Sequence, residues 1–153
     1  MANKAENIYI DSNVLINYCT GRGVGRDGLS YLFSKVKKDR LFTSSLAIVQ
    51  TIAQLQKGGY DSKTKKRRVA FSRELTVSLI KKMLSKVTVI DFTFKDLETG
   101  MAIPNKDLED NIQYVVSQTK NCKYLITNNK KDFEFFKVLT KIEPYPHYLK
   151  ECI

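Results

Sequence analysis

The sequence predicts an α/β protein, a three-layer α/β/α sandwich around a central, mainly parallel sheet of four to five strands. Short apolar runs recur at residues 7–10, 41–43, 87–90 and 124–127, bounded by polar or turn-forming residues. Longer stretches between them carry apolar residues at helical spacing. Asp11 directly follows the first run, and Asp132 lies just beyond the fourth. Ligands of open parallel sheets gather outside the carboxyl ends of the strands, so one end of the predicted sheet is already singled out.

Asn7-Ile8-Tyr9-Ile10 reads as a short buried strand, followed by Asp11-Ser12-Asn13 and the apolar Val14, Leu15 and Ile16. Ser12 or Asn13 is the expected cap of a short helix there. Gly21-Arg22-Gly23-Val24-Gly25 reads as a loop whose glycine spacing fits no phosphate-binding fingerprint. Leu29, Leu32, Phe33 and Val36 share one face of a helix from about Gly28 to Lys38. A second strand follows at Leu41-Phe42-Thr43, then a helix capped by Ser44 or Ser45 that Gly58-Gly59 stops. The polar, basic stretch Asp61 to Arg68 leads into a long helix reaching about Ser85. Val87–Ile90 is a third strand, and Thr93 with Asp96 forms a capping box for a helix ending near Gly100. A helix over Asp107–Thr119, a strand over Tyr124–Thr127, a helical turn over Asp132–Phe136 and an edge strand over Val138–Ile142 complete the reading. Without internal repeat, low-complexity segment or linker, a single domain over residues 1–153 is expected.

The composition excludes several functions. No apolar run approaches the roughly 20 residues of a membrane span, and residues 1–7 lack a secretory h-region, so a cytoplasmic location without a membrane partner is expected. Cys19, Cys122 and Cys152 are scattered and His147 is the one histidine, which argues against a disulfide framework, a zinc site or a His-based triad. Lys+Arg 26 against Asp+Glu 16 leaves a net charge of +10, which favours a polyanionic partner such as RNA or serves solubility alone. Carboxylates gathered in such a chain form a negative pit in a positive surface, and that pit suits Mg²⁺ or Mn²⁺.

Asp11 after the first strand, Asp110 in the first turn of a late helix, and Asn128, Asn129 and Asp132 after the fourth strand are the candidates for that pit. They meet only if the strands carrying them are neighbours. Each also has a local explanation. Asp107 and Asp110 are spaced as helix cap and third residue, Asn129 and Asp132 likewise, and Asp11 fits a turn.

The segment Ile8-Tyr9-Ile10-Asp11-Ser12-Asn13-Val14-Leu15-Ile16 resembles the opening of a PIN domain. The segments Asp107-Leu108-Glu109-Asp110-Asn111-Ile112-Gln113-Tyr114 and Tyr124-Leu125-Ile126-Thr127-Asn128-Asn129-Lys130-Lys131-Asp132-Phe133 resemble that family's C-terminal half. The resemblance implies a Mg²⁺- or Mn²⁺-dependent endoribonuclease, often the toxin of a bacterial toxin–antitoxin pair. Its expected partners are RNA, an antitoxin protein and a second copy of the chain. By resemblance the metal ligands are Asp11, Asp110 and Asp132, with Asn129 a neutral ligand or water-positioner; Ser12, Asn13 and Thr127 orient them. One departure stands out. Gln50 occupies the place where the family usually carries a glutamate, and an amide brings neither charge nor base. Glu109 is a candidate to compensate. Lys63, Lys65, Lys66, Arg67 and Arg68, with Tyr60 and Phe71 nearby, are candidates to grip RNA, or else mark a solvated helix start. A catalytically weakened module that binds RNA or protein, and a DNA-directed nuclease, are the competing readings.

Overall fold

The computed structural model describes residues 5–61 and 64–153, the side chains of Val24, Tyr60 and Asp61 excepted. Strand β1 (Asn7–Ile10) runs into helix α1 (Ser12–Thr20), followed by α2 (Gly23–Lys35), β2 (Leu41–Ser44) and α3 (Ser45–Lys57). A small hairpin, β3 (Gly59–Asp61) and β4 (Lys66–Arg68), precedes α4 (Arg73–Leu84), β5 (Thr88–Ile90) and α5 (Phe94–Ala102). The chain continues as α6 (Leu108–Gln118), β6 (Cys122–Ile126), β7 (Thr140–Ile142) and the short α7 (Pro146–Leu149). The main sheet has five strands in the order β5-β2-β1-β6-β7, and every neighbouring pair is parallel.

Strand side chains alternate between the two faces, as pleating requires. Ile8 and Ile10 of β1, Leu41 of β2 and Ile126 of β6 enter one apolar layer with residues of α1, α2, α3, α4 and α7. Tyr9, Phe42 and Leu125, one position along, enter the other layer with Ile112 and Val116 of α6. The predicted sandwich is therefore present. β1 and β6 are adjacent and in register from Ile8↔Tyr124 to Ile10↔Ile126, so both end at the same level. That adjacency brings Asp11 beside Thr127. On the second face, α5 and α6 approach closely at Gly100, where a Cβ would stand 2.9 Å from Ile112 Cγ1 and 3.2 Å from its backbone nitrogen.

Several sequence expectations are corrected. Helix α2 begins at Gly23, not Gly28, so the glycine-rich stretch is largely helical. Its glycines make room for neighbours: a Cβ at Gly25 would meet the Asn17 side chain at 2.7 Å, and one at Gly28 would collide with the Pro144 carbonyl. Tertiary contact overrides poor helix propensity there. The basic run is no helix start; Lys66, Arg67 and Arg68 form the second strand of the hairpin, and α4 starts only at Arg73 with Ser72 as its cap. Asp11 itself, rather than Ser12 or Asn13, caps α1. The edge strand is confined to Thr140–Ile142, and α7 was not anticipated. Among the described residues, no helix is long and apolar enough to cross a membrane. Cys19, Cys122 and Cys152 are free and buried.

Candidate active site

Asp11 is 4% exposed, at the end of β1. Its backbone N–H continues the ladder by donating to Ile126 O at 3.0 Å, and its carboxylate then caps α1 by accepting from Ser12 N at 2.7 Å. The second carboxylate oxygen accepts from Thr127 Oγ1 at 2.8 Å. Burial raises the Asp11 carboxyl above the ordinary range, opposed by hydrogen bonds from Thr127, the Ser12 backbone and Gln113. This is a buried acid held by aimed dipoles, with no cation paired to it among the described residues.

Asn13 closes the adjoining turn. Its Oδ1 accepts from Asn128 N at 3.2 Å, and its Nδ2 reaches Thr127 Oγ1 at 3.4 Å. Thr127 Oγ1 also accepts from Asn129 N at 3.0 Å. One hydroxyl thus joins the ends of β1 and β6 and the segment leading to Asp132. Asn129 makes no side-chain cap to the 3₁₀ turn Lys130–Phe133, so capping does not explain the Asn129/Asp132 spacing.

Asp110 sits in the first turn of α6. The helix is capped by Asp107, whose carboxylate accepts from Asp110 N at 3.1 Å, leaving the Asp110 side chain unused by the cap. Burial raises its pKa to about 7, with further upward pushes from the charges of Asp107, Asp11, Asp132 and Glu109. The fold therefore brings Asp11, Asp110 and Asp132 into one electrostatic neighbourhood. Asp110 and Asp132 also line a common cavity of about 240 Å³ with Lys106, Lys131 and Phe135. Among the described residues, no three His, Cys, Asp or Glu side chains form a ready-made ligand cluster.

Gln50 projects from α3 toward α6, where its Nε2 donates to Glu109 Oε1. Its own Oε1 is buried without a hydrogen-bond partner. Carboxylate and amide oxygens are hard donors, the chemistry that Mg²⁺ and Mn²⁺ prefer. The donor types of Asp11, Asp110 and Asp132 suit such an ion, without forming a preassembled three-ligand cluster among the described residues.

The hairpin leaves Lys65, Lys66 and Arg67 exposed, while Arg68 turns inward. Arg68 donates to the carbonyl of Gln54, one turn beyond Gln50 on α3, and its guanidinium lies 5.6 Å from the centre of the Phe71 ring. Phe71 packs against the core beneath it, so it does not offer the open face expected of a base-stacking residue. Lys63 lies outside the described residues.

Sequence reasoning missed Gln113, Asn111 and Phe135. Gln113 lies three residues after Asp110, a turn along the same face, and that spacing could have found it. Asn111 is fully buried; its Nδ2 donates to Gly100 O at 3.1 Å, Ile103 O at 3.3 Å and Asn105 O at 3.1 Å, which ties down the loop leading into α6.

By sequence, no curated protein matches this chain. Solved structures do match it in fold. A toxin–antitoxin complex from Klebsiella pneumoniae aligns with a TM-score of 0.63 at 19% identity, covering 91% of this chain and 98% of that one. VapBC2 from Rickettsia felis, bound to a DNA fragment from its promoter, aligns at 0.61 and 16% identity over 89% and 97%. VapC20 from Mycobacterium tuberculosis, a toxin that cleaves the sarcin-ricin loop, aligns at 0.57 and 12% identity over 78% and 87%. The sequence model of the PIN domain matches residues 8–138, most of the chain. On that match, with the acids at the ends of β1 and β6 and at the start of α6, the chain belongs to the PIN domain family.

Proposed function

We propose that this protein is a Mg²⁺- or Mn²⁺-dependent endoribonuclease that hydrolyses RNA phosphodiester bonds as the cytoplasmic toxin of a toxin–antitoxin pair. The observation that carries the reading is the gathering of acids at one end of the sheet, where Asp110 feels the charges of Asp11 and Asp132. Divalent metals are general among nucleases of the family, and toxin–antitoxin complexes among the structural neighbours support an antitoxin partner.

In this reading Asp11, Asp110 and Asp132 hold the ion, and Asn129 adds a neutral oxygen. A bound divalent ion neutralises charge on the phosphate oxygens and lowers the pKa of water. Thr127, Ser12 and Asn13 keep the Asp11 carboxylate in place through the contacts described above. Glu109, held by the Gln50 amide, brings the carboxylate that Gln50 lacks. Lys65, Lys66, Arg67 and Arg68 of the hairpin, which Arg68 ties to Gln54 one turn along α3 from Gln50, attract the RNA backbone. Lys63 belongs to the same basic run.

The uncharged amide of Gln50, where the family usually carries a glutamate, favours a second reading, a catalytically weakened module that binds RNA or protein. Calorimetric Mn²⁺ titration and cleavage of single-stranded RNA decide between them. The enzyme binds Mn²⁺ at millimolar concentration or below, and its cleavage disappears in the Asp11→Asn/Asp110→Asn double variant. Absence of Mn²⁺ binding, or cleavage that survives the double substitution, removes the enzyme.

A further inference from the structure

Resting on the nuclease reading, we propose that Phe135 is a stacking platform for one unpaired base of single-stranded RNA, beside the phosphate that an ion at Asp110 and Asp132 would hold. The segment Phe133-Glu134-Phe135-Phe136 offers three aromatic rings, and the core takes two of them. Phe133 is 1% exposed and Phe136 is 4% exposed, the latter stacked on Tyr114 at 4.1 Å with the planes 15° apart. Phe135 remains 49% exposed. Its ring meets Phe136 at 5.4 Å and 79°, an edge-to-face contact that fixes its orientation without covering it.

A half-exposed aromatic is ordinary by itself. What distinguishes Phe135 is the cavity it lines, which also holds Asp110, Asp132, Lys106 and Lys131. At about 240 Å³ that cavity is below the roughly 300–1,000 Å³ of pockets for drug-sized ligands, and it suits a single flat base. Asn105 and Asp107 complete the lining, and the two lysines supply positive charge for phosphates next to the acids. An aromatic face, a cation and a metal-fitting carboxylate pair in one pocket match the parts of a nucleotide: base, flanking phosphate and scissile phosphate. A paired base keeps its faces inside the duplex stack, so the platform selects unpaired RNA.

The chain contains no tryptophan, so Phe135→Trp places a single indole fluorophore at the platform. The variant is titrated in EDTA with a short oligoadenylate and, separately, with an abasic ribose-phosphate oligomer of the same length. Asp110→Asn serves as a second background with less charge repulsion. The expected result is quenching by the oligoadenylate and little change from the abasic oligomer. Equal responses mean that charge alone attracts the RNA, and they overturn the platform; so does the absence of any response in both backgrounds. In the otherwise unaltered chain, Phe135→Leu raises KM for single-stranded RNA about tenfold while kcat stays nearly constant. An unchanged KM in a cleaving enzyme overturns the platform and leaves the nuclease intact. Base-specific quenching without any cleavage supports the platform while removing the nuclease.

Discussion

Thr127→Val tests the network that places the central acid. Thr127 is fully buried, and its Oγ1 donates to Asp11 at 2.8 Å while accepting from Asn129 N at 3.0 Å. Valine fills nearly the same space but removes the hydroxyl. A hydrogen bond to an ionised carboxylate contributes about 1.5–3 kcal/mol, while the exposed Asn129 N–H recovers part of its loss from water. An extra buried methyl returns a fraction of a kcal/mol. The net cost is about 2–3 kcal/mol, a large share of the roughly 5–15 kcal/mol that holds a domain folded. The sign of its pH dependence follows from the Asp11 shift. Burial raises the folded carboxyl, so wild-type stability declines as pH climbs from the unfolded pKa through the folded one, and Thr127 limits that decline. Without the hydroxyl the folded pKa moves higher still. The deficit is therefore small near pH 4 and largest near pH 8. Urea unfolding in EDTA at those two pH values measures it, with Thr127→Ser as the rescue variant. A deficit below about 1 kcal/mol at both, or one that is equal at both, refutes the claim that this hydroxyl supports an ionised Asp11.

Asp110, raised to about 7, binds a proton in the folded state that the unfolded chain releases near 4, so it lowers stability as pH rises between those values. Mn²⁺ binding should consequently release about one proton from this group near pH 6 and few near pH 8, which calorimetry in buffers of different ionisation enthalpy reads directly. Asn111→Ala strips the carbonyls of Gly100, Ile103 and Asn105 of their shared donor, and about 3 kcal/mol of lost stability, or roughly 6–12 °C in Tm, is expected by thermal unfolding. Gln50→Glu replaces a donor to Glu109 with a like charge, so the metal-free protein should lose about 1 kcal/mol while its Mn²⁺ affinity rises in calorimetric titration.

The strands were legible because pleating writes itself into short apolar runs. Ile8, Tyr9 and Ile10 are all fully buried, as a strand covered on both faces requires. The end of the sheet that carries chemistry was legible for the same reason, since Asp11 breaks an apolar run at its carboxyl end. The β3–β4 hairpin was not legible. Its strands have no apolar alternation, and Arg68 anchors it through the Gln54 carbonyl and the Phe71 ring, neither of which leaves a periodic trace. The start of α2 was hidden because glycine reads as a breaker until its neighbours, Asn17 and Pro144, are known. Phe135 was invisible for a related reason: three aromatics in four residues do not say which one the core will refuse.

The charge pattern follows from the cost of keeping these acids together. Asp11 is buried, and fixed donors rather than a cation hold it; Asp110 is half buried and repelled by four other carboxylates. Such a cluster opposes folding until something positive enters it, and it repels the phosphates of the proposed substrate until then. A divalent ion removes both penalties at once, whereas a surface lysine removes neither, because exposed charges a Debye length away are screened. The +10 net charge therefore acts at longer range, drawing a polyanion toward the surface. Lys106 and Lys131, which share the cavity with Asp110 and Asp132, are placed where the long-range attraction and the local site meet. Neutralising both should slow RNA association, steeply at low salt and weakly at high salt, while leaving Mn²⁺ affinity unchanged or slightly higher. A fall in Mn²⁺ affinity on removing those two cations would contradict the electrostatic argument, because lysines repel the ion that the carboxylates attract.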